Sequence, residues 1–155
     1  MTSRNRTTRR PVAAVICDGP EAVTVARCAA MTAAEQHRPV VLLVPMQRPP
    51  FTTDAVIALR MNQEATREAE AIAARVRPAL DTAQVTTVTV RIAWYRPWRA
   101  RSQARAVLAA AHRAGALVMV AAVPGSRRRA VLDRDMRSVV PDVVVHQLPQ
   151  RGKRS

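Results

Sequence analysis

The sequence predicts one α/β domain in which helices cover both faces of a parallel sheet. Two stretches, residues 12–17 and 116–123, are apolar throughout, which is typical of strands buried on both faces. Such runs alternate with helix-like periodic segments along the chain, and strict alternation favours a doubly wound arrangement. The 155 residues suffice for one core, and 48% of them are hydrophobic.

The predicted order is strand and helix repeated four times, followed by a last strand. The predicted strands are residues 12–17, 40–44, 85–92, 116–123 and 143–148. The predicted helices are residues 21–37, 53 or 54 to about 77, 99–114 and 127–140. Glycines and prolines mark most of the boundaries between these segments, because they favour turns and interrupt helices.

The second helix has the clearest periodicity. Its apolar residues are three or four positions apart and form one stripe along the helix. The stripe consists of Met61, Ala65, Ala69, Ile72, Val76 and Leu80. Thr53 or Asp54 is expected to cap the first turn of this helix. Gly115 occupies the position of a C-cap glycine after the third helix.

Arginine dominates the charge of the chain. The net charge is +14, and Lys153 is the one lysine among 25 basic residues. Seven basic residues lie in residues 1–10 and 150–155, which we expect to be disordered tails around a domain spanning 11–149. Such tails favour polyanions, including RNA or ribosomes, although they could also serve solubility alone.

Neither a metal site nor a membrane segment is expected. Cys17 and Cys28 form no Cys-x-x-Cys pair, and the three histidines are far apart in sequence. The strongly apolar run at 114–123 is about half as long as the ~20 residues that span a bilayer. The apolar stretch near the N-terminus ends at Asp18, too early for a secretory signal. These features predict a cytoplasmic protein with reduced thiols.

Several segments resemble the universal stress protein family. Residues 14–20, Ala-Val-Ile-Cys-Asp-Gly-Pro before an Ala-rich helix, are similar to the family's first strand, which ends in Asp-Gly-Ser. The strand at 40–44 follows His-Arg-Pro where the family has its second strand, and residues 104–119 resemble its third helix and fourth strand. The resemblance implies a doubly wound, five-stranded parallel sheet in the order 3-2-1-4-5, like that of adenine nucleotide alpha hydrolases.

The last strand suggests how the chain could associate. Val143, Val144, Val145 and Leu148 would give residues 143–148 an apolar edge that invites pairing with another chain. Members of the family commonly dimerise through this region. The resemblance and the apolar edge together predict a homodimer formed through the last strand.

The phosphate-binding loop of the family is not matched. ATP-binding members follow the fourth strand with two spaced glycines and then a Gly-Ser or Gly-Thr that starts a helix, which brings backbone amides to the phosphates. In this chain the nearby residues are Gly125 and Ser126, and no Gly-Ser or Gly-Thr occurs at 130–138. We therefore expect no cofactor, and weak or no binding of ATP.

Some residues at the expected crevice could still contact a nucleotide or an anion. The candidates are Asp18, Gly19, Val44, Gly125, Ser126, Arg127 and Arg128. The resemblance puts Asp18 near a ribose and Val44 near an adenine, while the arginines could hold an anion with their guanidinium groups. Alternatively, Asp18 caps the first helix or makes its turn, and the arginines form a solvated turn.

A second candidate site is a short segment rich in aromatic residues and arginine. Trp94, Arg96, Trp98 and Arg99 lie within six residues, and such a mixture can stack on bases and grip phosphates. The alternative is that both tryptophans cover the end of the sheet. The sequence contains none of the common RNA-binding signatures that would decide between these interpretations.

The sequence predicts a protein that is not an enzyme. It has no nucleophile elbow and no Walker-type loop, and His112 and His146 have no neighbours that suggest a triad. Three functional hypotheses remain. The first is a stress-response or regulatory domain that acts through partners or dimerisation. The others are an adenine-nucleotide sensor with an altered loop and a basic protein associated with RNA or ribosomes.

Overall fold

The computed structural model describes residues 9–85, 87–99, 101–122, 136–140 and 143–148. Its strands are β1 (Val12–Val15), β2 (Val40–Gln47), β3 (Val88–Tyr95), β4 (Val118–Ala122), β5 (Met136–Val140) and β6 (Val143–Gln147). The helices of this part are α1 (Ala22–Glu35), α2 (Ala55–Thr82) and α3 (Ser102–Arg113). The alternation of strands and helices up to β4 is the predicted one.

One sheet contains all of these strands, in the order β3-β2-β1-β4-β6-β5. The first four are parallel to one another; Val12, for example, lies opposite Val40 on one side and Val118 on the other. The predicted α/β class and the strand order 3-2-1-4 are therefore confirmed. The order reverses between β1 and β4, so a switch-point crevice lies at their carboxyl ends.

The end of the sheet differs from the prediction. β6 lies next to β4, as expected of the last strand, but it is antiparallel, with Val143 opposite Ala122. Residues 136–140, predicted as part of a helix, form β5, which pairs with β6 as a hairpin. Only two residues connect β5 to β6, and a parallel crossover needs a dozen or more. β-Branched Val139 and Val140 also suit a strand.

This arrangement removes the predicted route to a dimer. β6 pairs with β4 on one side and with β5 on the other, so it is an interior strand of the sheet. The prediction of an edge strand at 143–148, and of a dimer formed through its free edge, is therefore wrong. The remainder of the predicted fourth helix, residues 127–135, lies outside the described residues.

The core consists of two apolar layers, one on each face of the sheet. Alternate residues of a strand point to opposite faces, so Val12 and Ala14 belong to the layer that contains the buried residues of α1 and α2, while Ala13 belongs to the layer that contains those of α3. Both layers are built from small and aliphatic side chains, and no polar or charged side chain is buried in the described part of the chain. Stability therefore rests on aliphatic packing.

The helix ends follow the chemistry expected from the sequence. The Asp54 carboxylate accepts hydrogen bonds from the backbone N–H groups of Val56 and Ile57, at 2.9 and 3.2 Å, so the predicted cap is confirmed. Gly115 follows α3 with φ of 74°, in the left-handed region that glycine adopts readily. Its N–H donates to the carbonyl of His112 at 3.0 Å.

Only the second half of α2 packs into the core. Its buried residues are Ala69, Ile72, Ala73, Val76 and Leu80. None of residues 55–68, which we call the leading half of α2, is buried, although the predicted stripe began at Met61. A helix of 28 residues is about 42 Å long, whereas the eight residues of β3 span about 26 Å. The helix is therefore longer than the sheet that it covers.

Candidate functional site

The carboxyl ends of β1 and β4 carry the first candidate site. The loop after β1 contains Asp18 and Gly19 and leads into α1. Residues 123–135, which follow β4 in the sequence, are outside the described residues, and the candidates Gly125, Ser126, Arg127 and Arg128 are among them. The described part of this crevice is therefore its β1 side.

Asp18 forms an ion pair with Arg75 of α2. It does not cap α1, because the N-cap residue is Glu21, whose side chain makes no capping hydrogen bond. Both partners are solvated, with side chains 63% exposed for Arg75 and 60% for Asp18. The carboxylate that the family resemblance puts near a ribose is thus held by an arginine of the protein itself.

A second carboxylate lies over the same loop. A Cβ atom built on Gly19 would stand 2.8 Å from Oε2 of Glu21, so a side chain at Gly19 would force Glu21 to move. Two acidic groups and one guanidinium therefore surround the end of β1. Like charges oppose the entry of an anion, so this side of the crevice is a poor phosphate site.

Val44 lies deeper than the sequence suggests. The prediction ended the second strand at Val44, but β2 continues to Gln47 and pairs with β3 to that point, with Pro45 opposite Ala93. Val44 is fully buried among the side chains under α1 and α2. In this conformation it has no surface with which to contact an adenine.

The Trp98 loop, residues 96–99 and 101, connects β3 to α3 and is the second candidate site. Two backbone turns shape it, in which Arg99 N–H donates to the Arg96 carbonyl and Ser102 N–H to the Arg99 carbonyl, each at 3.2 Å. The Ser102 hydroxyl accepts from the Arg96 N–H at 2.9 Å. Arg101, with φ of 64°, leads into α3. The loop is therefore tied to both elements that it joins.

The two tryptophans of this segment have different surroundings. Trp98 is 70% exposed, while Trp94 is half-buried near the end of β3. Arg96 and Arg99, on either side of Trp98, are exposed as well. Covering the end of the sheet therefore accounts for Trp94 but not for Trp98.

A groove runs along β3, the strand at one end of the sheet. It has a volume of about 440 Å³ and is lined from α2 by Glu70, from β3 by Ile92 and Trp94, and from α3 by Arg113. β3 pairs with β2 alone, so its other backbone edge is open among the described residues.

The thiols differ in exposure and chemistry. Cys17 is exposed at the end of β1, and Cys28 is buried in α1. Burial raises the pKa of the Cys28 thiol, and a hydrogen bond with the Thr32 side chain opposes this shift in part. Cys28 is therefore a neutral thiol at physiological pH and a poor nucleophile.

The described ranges contain neither a metal-binding cluster nor a membrane span. No group of three or more His, Cys, Asp or Glu side chains in them could hold a metal ion. No helix among the same residues is both long and apolar enough to cross a bilayer.

Sequence reasoning missed two features of this surface. The first is the pairing of Arg75 with Asp18, since nothing in the local sequence of Arg75 signals a partner 57 positions away. The second feature is the exposed apolar start of α2. Here a signal was available, because the first five residues of α2, Ala-Val-Ile-Ala-Leu, are apolar on every side of the helix and not along one stripe.

Comparison with solved structures returns universal stress proteins. A protein from the universal stress protein family of Burkholderia pseudomallei aligns with a TM-score of 0.47 and 16% identity, over 73% of this chain and 80% of that one. A universal stress protein in complex with cAMP aligns with a TM-score of 0.41 and 13% identity, over 56% of this chain and 62% of that one. No protein-family profile and no curated protein matches the sequence.

Proposed function

We propose that this chain is a non-enzymatic, stress-protein-like regulatory domain that acts by binding protein partners, and that its first partner is a second copy of itself. One observation carries the proposal, namely the apolar surface at the start of α2. Phe51 is 93% exposed, and Val56, Ile57 and Leu59 are each about half exposed or more. We call these four residues the apolar tip.

The apolar tip has the composition of a buried element. Successive residues of a helix are about 100° apart around its axis, so Val56 and Leu59 share one side of α2 and Ile57 lies on another. A helix that is apolar all round is normally covered by protein, and the part of this chain that the structure describes does not cover it. Clustered exposed apolar side chains mark interaction sites.

The leading half of α2 lacks the positive charge that dominates the chain. Residues 55–68 contain two acidic and two basic residues, so this stretch carries no net charge, while the whole chain carries +14. A neutral apolar surface does not favour nucleic acid or anionic lipid, which bind through positive charge. Two copies of this chain can bring such surfaces together without opposing like charges there.

The first crevice gives less support to a nucleotide-dependent role. Asp18 is engaged by Arg75, Glu21 lies over Gly19, and Val44 is buried. The Asp18 carboxylate must give up its ion pair with Arg75 before it can bind a ligand. Partner binding therefore uses surface that is open, whereas binding of ATP at this crevice would require rearrangement.

The test is the oligomeric state of matched variants. Leu59 and Met31 are each 58% exposed, but Met31 lies on α1, outside the apolar tip. We expect light scattering to give a dimer for the wild type and for Met31→Gln, and a monomer for Leu59→Gln combined with Phe51→Ser. A monomeric wild type at high concentration, or dissociation by Met31→Gln alone, would contradict the proposal.

A further inference from the structure

The Trp98 loop presents a large aromatic ring to solvent beside arginines. The ring is 70% exposed, and Arg96, Arg99 and Arg101 are exposed around it. The loop is held in shape by the backbone turns and by the bond from Arg96 N–H to the Ser102 hydroxyl. Because the backbone is already ordered, a ligand that stacks on Trp98 removes little further conformational freedom from the loop.

The stretch of sequence that contains the loop is rich in arginine and free of acidic residues. Between Asp81 and Asp133 the sequence has no acidic residue and nine arginines. The single ion pair among the described residues lies elsewhere, in the loop after β1, so Arg96, Arg99 and Arg101 have no carboxylate partner there. The positive charge of these arginines thus attracts a polyanion to the loop.

The combination of groups identifies the kind of polyanion. A guanidinium group can donate two parallel hydrogen bonds to one phosphate. An exposed aromatic face can stack on any unpaired base, whatever the identity of that base. A duplex keeps its bases stacked on one another and offers no free face. A single strand offers both phosphates and free base faces, which is what this loop can contact.

We propose that the Trp98 loop binds single-stranded nucleic acid, with Trp98 stacked on a base and Arg96 and Arg99 on the flanking phosphates. This site is separate from the apolar tip and does not depend on the proposed dimer. Trp94 contributes no base contact, because it is half-buried in the groove along β3. Binding is not sequence-specific, since stacking and phosphate contacts do not distinguish bases.

The test uses the full chain and a short fluorescein-labelled oligouridine, with affinity followed by anisotropy. Trp98→Ala should weaken binding by about 5-fold to 150-fold, the range for removal of one stacked base. Trp98→Phe, which keeps an aromatic face, should retain most of the affinity, while Trp98→Leu should resemble Trp98→Ala. The logarithm of the affinity falls linearly with the logarithm of the salt concentration. Replacing Arg96 and Arg99 together by alanine should make this fall less steep, by about 0.7 for each phosphate that is no longer bound.

Matched controls separate this site from general charge and from lipid. Replacing Arg27 and Arg77, which are exposed on α1 and α2, by alanine removes the same charge and should have a much smaller effect. Thermal unfolding of each variant checks that it folds. The proposal is overturned if Trp98→Ala binds like the wild type, if both arginine double variants lose equal affinity, or if phosphatidylserine vesicles bind the loop more tightly than the oligouridine does.

Discussion

A pair of leucines in one helix tests the division of α2 into a packed and an open half. Leu80 is completely buried beneath α2, and Leu59 is 58% exposed in the leading half. Leu80→Ala removes buried methyl groups and leaves a cavity, which lowers the free energy of unfolding by about 2–5 kcal/mol. Because less than half of Leu59 is covered, Leu59→Ala should lower it by under about 1 kcal/mol, given ~1.5–3 kcal/mol for complete burial of such a side chain.

The assay is urea unfolding of both variants at low protein concentration, followed by circular dichroism. The predicted difference between the two losses of stability is at least about 1 kcal/mol. Raising the concentration should enlarge the loss for Leu59→Ala alone, since association stabilises the folded chain by mass action. Equal losses at low concentration would refute the reasoning, because they would mean that the leading half packs against the domain.

Three further predictions concern local chemistry. Gly115→Ala should lower the free energy of unfolding by about 1 kcal/mol, because φ is positive there and nothing lies within 4 Å of the added Cβ; thermal unfolding with no loss would contradict this. Iodoacetamide should modify exposed Cys17 before buried Cys28, and equal alkylation rates at neutral pH would refute this assignment. Because the pKa of the Cys28 thiol is raised in the folded protein, its contribution to stability is fully present below the ordinary thiol pKa. That contribution is lost as the pH rises through the raised pKa. Asp18→Asn should change stability by less than about 1 kcal/mol, since its pair with Arg75 is solvated; a loss above ~2 kcal/mol in urea unfolding would show a stronger role.

The central part of the fold could be predicted because its signals are local. The short apolar runs of β1 and β4 are bounded by turn residues, which favours strands over helices, and Asp54 and Gly115 have standard roles at helix ends. The last part could not be predicted in the same way. Residues 136–140 carry apolar side chains at spacings that suit a helix face as well as a strand, and the hairpin with β6 depends on pairing across the sheet.

The site was harder to predict because it depends on contacts between distant residues. The sequence places Asp18 directly after the first strand, but its partner Arg75 follows only from the packing of α2. Exposure of Trp98 and burial of Val44 likewise depend on how far β2 and β3 extend. Sequence identified the chemical groups, whereas packing decides which of them remain open to a ligand.

The native mass of the protein after gentle purification tests its proposed mode of action most directly. We predict a mass near 34 kDa, twice the 17.0 kDa of one chain, with no adenine nucleotide bound. We also predict that the combined replacement of Leu59 and Phe51 reduces the mass to that of one chain. A monomer that retains a tightly bound nucleotide would contradict the central claim that this domain acts through its surface and not through the crevice after β1.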